Sequence, residues 1–251
     1  MRGRRGRRPG RARPAVILTV IGCAGSVPGP DAVCSCYLLE HDGFRLLLDA
    51  GTGAAGPLQR FADPRAIDAA VISHGHRDHC ADLVPLAYIR HHRGPSPRLP
   101  VIAPAGESAP PGYEYAFDWR TPPSAPLALG PFTVETAPVR HSVPALGVRV
   151  TAGGRTLTYS GDTGECPELL DLARDTNILL CEAAASVETP GAAETHLTPA
   201  QAGDLAKQAA AEHLVLTHLR PWADPAVALH EARQSCDAPI TLATPGLRLI
   251  A

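Results

Sequence analysis

The chain has 251 residues, 45% hydrophobic and only 4% aromatic, so a core of domain size must be filled mainly by Ala, Val and Leu. Its net charge of −2 is unevenly spread: seven of the 23 basic residues are arginines within Met1–Arg13, where there is no acid, leaving 16 basic against 25 acidic residues, about −9. An acidic body excludes a long nucleic-acid track, and no apolar run approaches the roughly 18 residues of a membrane span.

The arginine-rich start, 1–14, reads as a disordered end or as residue of an upstream start codon, ahead of an arm that binds RNA or an anionic membrane. Residues 15–251 read as one domain. The seven cysteines are odd in number and hold no C-x-x-C pair, which implies reduced thiols and a cytoplasmic protein. The 23 Gly and 26 Pro imply short elements and many turns.

In chain order, Val16–Ile21 is β-branched and reads as a first strand, followed by a small-residue loop from Gly22 to Pro30. Cys36–Glu40 and Phe44–Asp49 read as a hairpin turning at His41-Asp42-Gly43. Asp49 then has two readings, a carboxylate buried under the next loop or a plain turn residue. A short helix is expected over Gly53–Phe61, a buried strand over Ala69–Ile72 and a helix after Cys80 to about Arg93.

Pro100–Ala103 reads as a strand. The Pro- and Gly-rich stretch from Pro104 to Pro126 carries Tyr113, Tyr115, Phe117 and Trp119, whose spacing puts all four on one face of an extended segment. That face either packs on the core or forms a stacking platform for a substrate base. Strands follow at Phe132–Thr136, Gly147–Val150, Thr156–Tyr159 and Asn177–Cys181, with a helix around Glu168–Arg174. Thr198-Pro199-Ala200-Gln201 is a helix start with Thr as N-cap, Pro in the first turn and Gln closing a capping box; this helix is expected to reach Glu212. Leu214–Thr217 is a strand, Pro225–Ser235 a last helix, and one or two edge strands close the chain. Strands grouped with helices between them fit an α/β fold of two sheets sandwiched by helices.

The chemistry concentrates in Ser73-His74-Gly75-His76-Arg77-Asp78-His79-Cys80, an H-x-H-x-D-H pattern at the end of a buried strand. Gly75 allows a sharp turn, so His74 and His76 can aim at one point and Asp78 and His79 at a second point nearby. Imidazole and carboxylate suit divalent transition metals, zinc first and manganese second. Asp49, His74, Asp162, Glu182 and His218 all stand just after expected strands, and loops at one end of a sheet can converge. Two ions would then be held, one by His74, His76 and His141, the other by Asp78, His79 and His218, with Asp162 shared.

The motifs LLLDAG, SHGHRDH, VRH, YSGDTG, LLCEAA, ETHLTPAQAG and LVLTHLRP resemble the metallo-β-lactamase superfamily, in the branch of ribonuclease Z and related phosphodiesterases, from about Leu18 to Ser235. The resemblance implies an αββα four-layer sandwich and two-metal hydrolysis. IGCAGSVPGPDA, YSGDTGECPELLDLA and LTHLRPWAD are most similar to the cyclic-nucleotide phosphodiesterases of this fold, which implies a small phosphodiester such as cyclic AMP as substrate. It also implies that His196, paired with Glu182, protonates the leaving oxygen, and that Asp78 helps orient the nucleophile. Ribonuclease Z enzymes carry an extended arm for transfer RNA; no such Gly- and Lys-rich insertion is present and Lys207 is the only lysine, so nucleic acid is not the expected partner. A transfer-RNA processing enzyme and another hydrolase of the fold, a lactonase or thioesterase, are the rival readings. A homodimer is the one protein partnership left open.

Overall fold

The computed structural model describes residues 16–92, 94–185 and 194–251; the arginine-rich segment 1–14 lies outside them. In chain order the strands of the first half are β1 (Ile17–Gly22), β2 (Cys36–His41), β3 (Phe44–Leu48), β4 (Ala69–Val71), β5 (Leu99–Ile102), β6 (Phe117–Arg120) and β7 (Leu127–Leu129). Those of the second half are β8 (Phe132–Pro138), β9 (Leu146–Ala152), β10 (Arg155–Tyr159), β11 (Ile178–Glu182), β12 (Leu214–Thr217), β13 (Ile240–Leu242) and β14 (Arg248–Ile250). The helices are α1 (Ala55–Leu58), α2 (Arg77–Cys80), α3 (Leu83–His92), α4 (Pro167–Ala173), α5 (Pro199–Gln208) and α6 (Pro225–Ser235).

They form two seven-stranded sheets, ordered β14-β1-β2-β3-β4-β5-β6 and β13-β12-β11-β10-β9-β8-β7. One apolar core lies between them, with Leu18, Leu39, Leu46 and Val71 of the first sheet meeting Val148, Val150, Leu157, Leu180 and Val215 of the second. Two further cores cover the outer faces. Leu58, Leu83 and Leu86 pack on the first sheet, and Leu169, Ala202, Ala206 and Ala232 on the second. The result is helix, sheet, sheet, helix, the metallo-β-lactamase arrangement implied by the motifs.

Local chemistry accounts for most boundaries. Asp42 and Gly43 both have positive φ, 48° and 82°, and His41 pairs with Phe44, so the hairpin closes through a two-residue turn whose twist matches its strands. The expected helix over Gly53–Phe61 shrinks to α1. Gly56 and Pro57 weaken it, and the chain tightens into i→i+3 bonds such as Arg60 N–H to Pro57 O. The helix expected after Cys80 forms as α3, Leu83–His92, and a separate single turn, α2, precedes it over Arg77–Cys80.

α5 begins with the full capping box, Thr198 and Gln201 each bonding the other's backbone. It ends four residues before the expected Glu212. Ala210 adopts φ 53°, with Ala211 N–H bonding Ala206 O and Ala210 N–H bonding Lys207 O. This is a Schellman end with alanine where glycine is usual, so the sequence carries no stop signal there.

The four aromatics of the Pro-rich stretch do not share one extended face. A 3-10 turn at Glu114–Ala116 rotates the chain, leaving Tyr115 exposed against the edge of His91. Phe117 and Trp119, both on β6, pack onto the outer core of the first sheet, and Trp119 Nε1–H donates to Glu107 O. For these two the structure supports packing, not a stacking platform.

Candidate metal centre

The sheets position the site through parallel strands. β3, β4 and β5 run parallel, as do β10, β11 and β12, so their C-terminal ends coincide at one edge of the sandwich. Asp49 and His74 follow β3 and β4; Asp162, Glu182 and His218 follow or end β10, β11 and β12. His141 enters from the β8–β9 connection, and His76, Asp78 and His79 from the loop and short helix after His74.

Three donor groups result among the described residues. His74, His76 and His141 form the first, Asp78, His79, Asp162 and His218 the second, and Glu182, His196 and His218 the third, which shares His218 with the second. In the first, His76 Nδ1 lies 3.1 Å from both His74 Nε2 and His141 Nε2. In the second, His79 Nε2 and His218 Nε2 are 3.2 Å apart, Asp162 Oδ2 lies 3.3 and 3.4 Å from them, and Asp78 Oδ2 lies 3.1 Å from His218 Nε2. Asp162 Oδ2 is also 3.8 Å from His74 Nε2, so this carboxylate stands between the groups.

These separations fit metal ions. Ligands each about 2.0–2.1 Å from a tetrahedral zinc stand roughly 3.3 Å apart. Asp162 Oδ1 is buried without a hydrogen-bond partner among the described residues, which a metal bond would supply.

A second layer fixes which ring nitrogens face inward. His79 Nδ1–H donates to Asp49 Oδ2 at 2.7 Å, and His141 Nδ1–H donates to Thr195 O at 2.9 Å, so each Nε2 presents its lone pair. Ser73 Oγ stands 3.0 Å from His74 Nδ1. Asp49 itself is fully buried and also accepts from Ser73 N–H, Ser73 Oγ–H and Tyr159 O–H. Of its two readings in the sequence, the buried carboxylate is the observed one. Ser26 N–H donates to Asp78 Oδ2 at 2.8 Å. His218 sits at φ 56°, and its carbonyl packs so closely on Gly25 that a methyl group there would collide.

The electrostatics favour positive charge in the cluster, a proton on His79 or a metal ion in its place. Burial, reinforced by the charge on His79, pushes the His74 imidazole down to about 2, so it stays neutral and able to coordinate. Burial opposes charge on His79, yet Asp162 and Asp49 outweigh it and raise the ring well above its ordinary value. Burial would likewise raise Asp78 and Asp162, but the surrounding histidines hold both carboxyls well below their usual range.

Beside this cluster His196 Nδ1–H donates to Glu182 Oε1 at 2.9 Å, and lies 3.8 Å from Asp162 Oδ2. Glu182 is fully buried and is fixed by Thr163 N–H and Ala184 N–H. Burial works against the His196 charge, but Glu182 and then Asp162 overcome it and raise its pKa. The nine residues singled out in the sequence thus stand around one cluster. Ser73, Tyr159 and Ser26, which orient that cluster, were missed; only Ser73, adjacent to His74, carried a positional hint.

An αββα sandwich with this donor set at its strand ends is a metallo-hydrolase. The family model described as "Beta-lactamase superfamily domain" matches residues 44–219, and the chain belongs to that superfamily. Among curated proteins, Rv1339 of Mycobacterium tuberculosis is 37% identical over 245 residues, spanning 90% of this chain and 89% of that protein. The probable metallo-hydrolase YhfI of Bacillus subtilis is 30% identical over 80% of this chain and 86% of its own. The crystal structure of YhfI, described as a metallo-beta-lactamase fold protein, superposes with a TM-score of 0.88 at 26% identity, covering 95% of this chain and all of that one. The mitochondrial ribonuclease Z of Drosophila melanogaster is 31% identical over 79% of this chain and 30% of its own length.

Proposed function

We propose that the protein is a dinuclear phosphodiesterase that hydrolyses small phosphodiesters, with 3′,5′-cyclic nucleotides such as cyclic AMP as substrates. The observation that carries this is the His196–Glu182 pair beside the metal cluster. A ribose alkoxide is a poor leaving group and needs a proton as it departs. An imidazolium whose pKa is raised by a buried carboxylate is suited to give it near neutral pH.

His74, His76 and His141 would hold one divalent ion and Asp78, His79 and His218 the other, with Asp162 shared; the nitrogen-rich donors favour zinc, then manganese. Bound there, the ions supply Lewis-acid stabilisation of the charge that develops on the phosphoryl oxygens. The chain does the rest. Asp49, Ser73 and Thr195 hold the ligand rings in orientation, Glu182 keeps Nδ1 of His196 protonated, and Nε2 of His196 is left to deliver the proton to the departing oxygen. Asp78, held by Ser26 N–H, orients the attacking water.

Transfer-RNA processing is the second reading, since a relative is named ribonuclease Z. The acidic body beyond Arg13 weighs against it. Incubation of protein resupplied with Zn(II) or Mn(II) with cyclic AMP, cyclic GMP, bis-p-nitrophenyl phosphate and a transfer-RNA precursor tests the proposal. Cyclic nucleotides turned over with precursor RNA intact is the expected result; no phosphodiester cleaved, or the precursor alone cleaved, overturns it.

A further inference from the structure

A cavity of about 260 Å³ is lined by Thr217 and Leu219, the two neighbours of His218, and two loops that also serve the site form its walls. One is the β1–β2 loop, which donates Ser26 N–H to Asp78. The other begins at His218 and runs through Arg220 and Trp222 to Asp224, the N-cap of α6. A β-bridge between Ala24 and Leu219 ties the two loops together, and residues 242–245 close the third side.

The lining is mostly apolar, including Pro30, Ala32, Leu219 and Leu242, with Arg220 and Asp31 among its few charges. Arg220 lines the cavity and is half-buried, so its cationic head is available to a ligand there. It is two residues after the cluster histidine His218, on the loop that leaves β12. Trp222, two residues further on, is 69% exposed, the most exposed aromatic of the chain.

We infer that this cavity receives the nucleobase of the substrate, with Arg220 at its mouth holding an anionic oxygen of the attached phosphate. The inference rests on the phosphodiesterase reading and adds what that reading lacks, a site for the part of the substrate that does not react. The size is compatible with a single ring system. Pockets for whole drug-sized ligands begin at about 300 Å³. A cavity just below that limit takes a single ring system and leaves the sugar and phosphate outside, over the metal cluster. Prolines and leucines give the walls flat apolar contact. Asp31 offers an acceptor for an exocyclic amino group, so an amino-bearing base such as adenine fits the polar lining.

Replacing Trp119 by Phe leaves Trp222 as the sole tryptophan, a reporter on the cavity's own loop. The metal-loaded protein is titrated with adenosine 5′-monophosphate and with ribose 5-phosphate, which lacks the base. Saturable quenching by the nucleotide, with the base-free sugar phosphate at least tenfold weaker, is expected. Ala32→Phe, which fills the cavity, and Arg220→Ala should each weaken the nucleotide at least tenfold at full metal content. Should Ala32→Phe fail to fold, Arg220→Ala carries the test. Equal affinity for the two compounds, or nucleotide affinity within twofold of wild type in a folded variant, overturns the assignment. Tighter quenching by a short single-stranded RNA would keep a base subsite and change only the substrate that fills it. The titration reads binding without turnover. Nucleotide binding here with no phosphodiester hydrolysed would remove the proposed function alone; cyclic AMP hydrolysis with KM untouched by either variant would remove the cavity alone.

Discussion

Glu182 Oε1 accepts the Nδ1–H of His196 at 2.9 Å from a position with no exposure to solvent, while its own orientation is fixed by two backbone N–H groups. A buried carboxylate anchored in this way cannot turn toward water, so its charge is directed at one imidazole. The histidine therefore keeps its proton above the ordinary value of 6.5.

A dependence on pH follows. A raised pKa means that the protonated form persists to higher pH than in a free imidazole and is lost as the pH rises through the value reached in the folded protein. Turnover of cyclic AMP should fall along that alkaline limb. Glu182→Gln removes the first of the raising partners, so the limb should move to lower pH. Profiles of kcat against pH for the two proteins check this, and a limb that stays in place would separate it from His196.

The metal cluster makes a stoichiometric prediction. Two donor groups with Asp162 between them should retain close to two transition-metal ions per chain after gentle purification and resupply. His76 supplies the nitrogen 3.1 Å from both other ligands of its group, so His76→Ala should lose that ion and hydrolysis together. Elemental analysis alongside activity decides; one ion in the wild type would contradict the dinuclear reading.

The legible part of this molecule was what the chain writes contiguously or at strand ends. H-x-H-x-D-H lies within six residues, and parallel strands deliver Asp162, Glu182 and His218 to the same edge because a strand's last residue is fixed by its hydrophobic run. What the sequence left open depends on three-dimensional neighbours. Asp49 could be a turn residue or a buried anchor until Tyr159, 110 positions away, was seen to donate to it. β7 is three residues long in a Pro-rich stretch and had no periodicity to read. Arg220 attracted no notice because a single arginine after a strand is ordinarily a solvated side chain; only its place in the cavity lining distinguishes it.

Asp49 should prove to be a joint support of fold and metal. Asp49→Ala strips Tyr159, Ser73 and His79 of a shared buried acceptor. Loss of a buried charged partner costs about 3–5 kcal/mol, and loss of an orienting carboxylate typically lowers metal affinity by about 10–100-fold. Asp49→Asn keeps the shape and should cost less stability while still weakening the metal. Thermal melts with and without a chelator, with metal titrations, distinguish the two losses; an unchanged metal affinity in Asp49→Asn would show that Asp49 serves the fold alone.

Stability should also respond at the end of α5. Ala210 holds φ 53°, a region that disfavours any residue with a Cβ by about 1–2 kcal/mol. Its side chain is exposed, so Ala210→Gly removes strain with little lost packing. Greater unfolded-state freedom of glycine offsets part of the gain. A net stabilisation of about 0.5–1 kcal/mol is expected, read as a higher midpoint in denaturant; a lower midpoint would mean that the strain is relieved elsewhere in the helix end.

The assignment of His196 as the proton donor is the most exposed to test. His196→Ala should keep both metals, since the two donor groups nearest the ions do not need it. Turnover of cyclic AMP should fall by about 10²–10⁴-fold, the usual contribution of acid catalysis. Bis-p-nitrophenyl phosphate should suffer much less, because nitrophenolate leaves as a stable anion and requires no proton. The contrast matters because His196 also lies near His218 and could act in a third donor group with Glu182. A lost ligand would reduce both substrates alike and lower the metal content. A lost contact before the capped helix α5 would lower the melting temperature and spare both rates. Only a proton donor links the size of the defect to the basicity of the leaving group. A series of aryl phosphodiesters with leaving groups of rising pKa should therefore give a steeper dependence of rate on leaving group in the variant than in the wild type, and equal slopes would exclude the role.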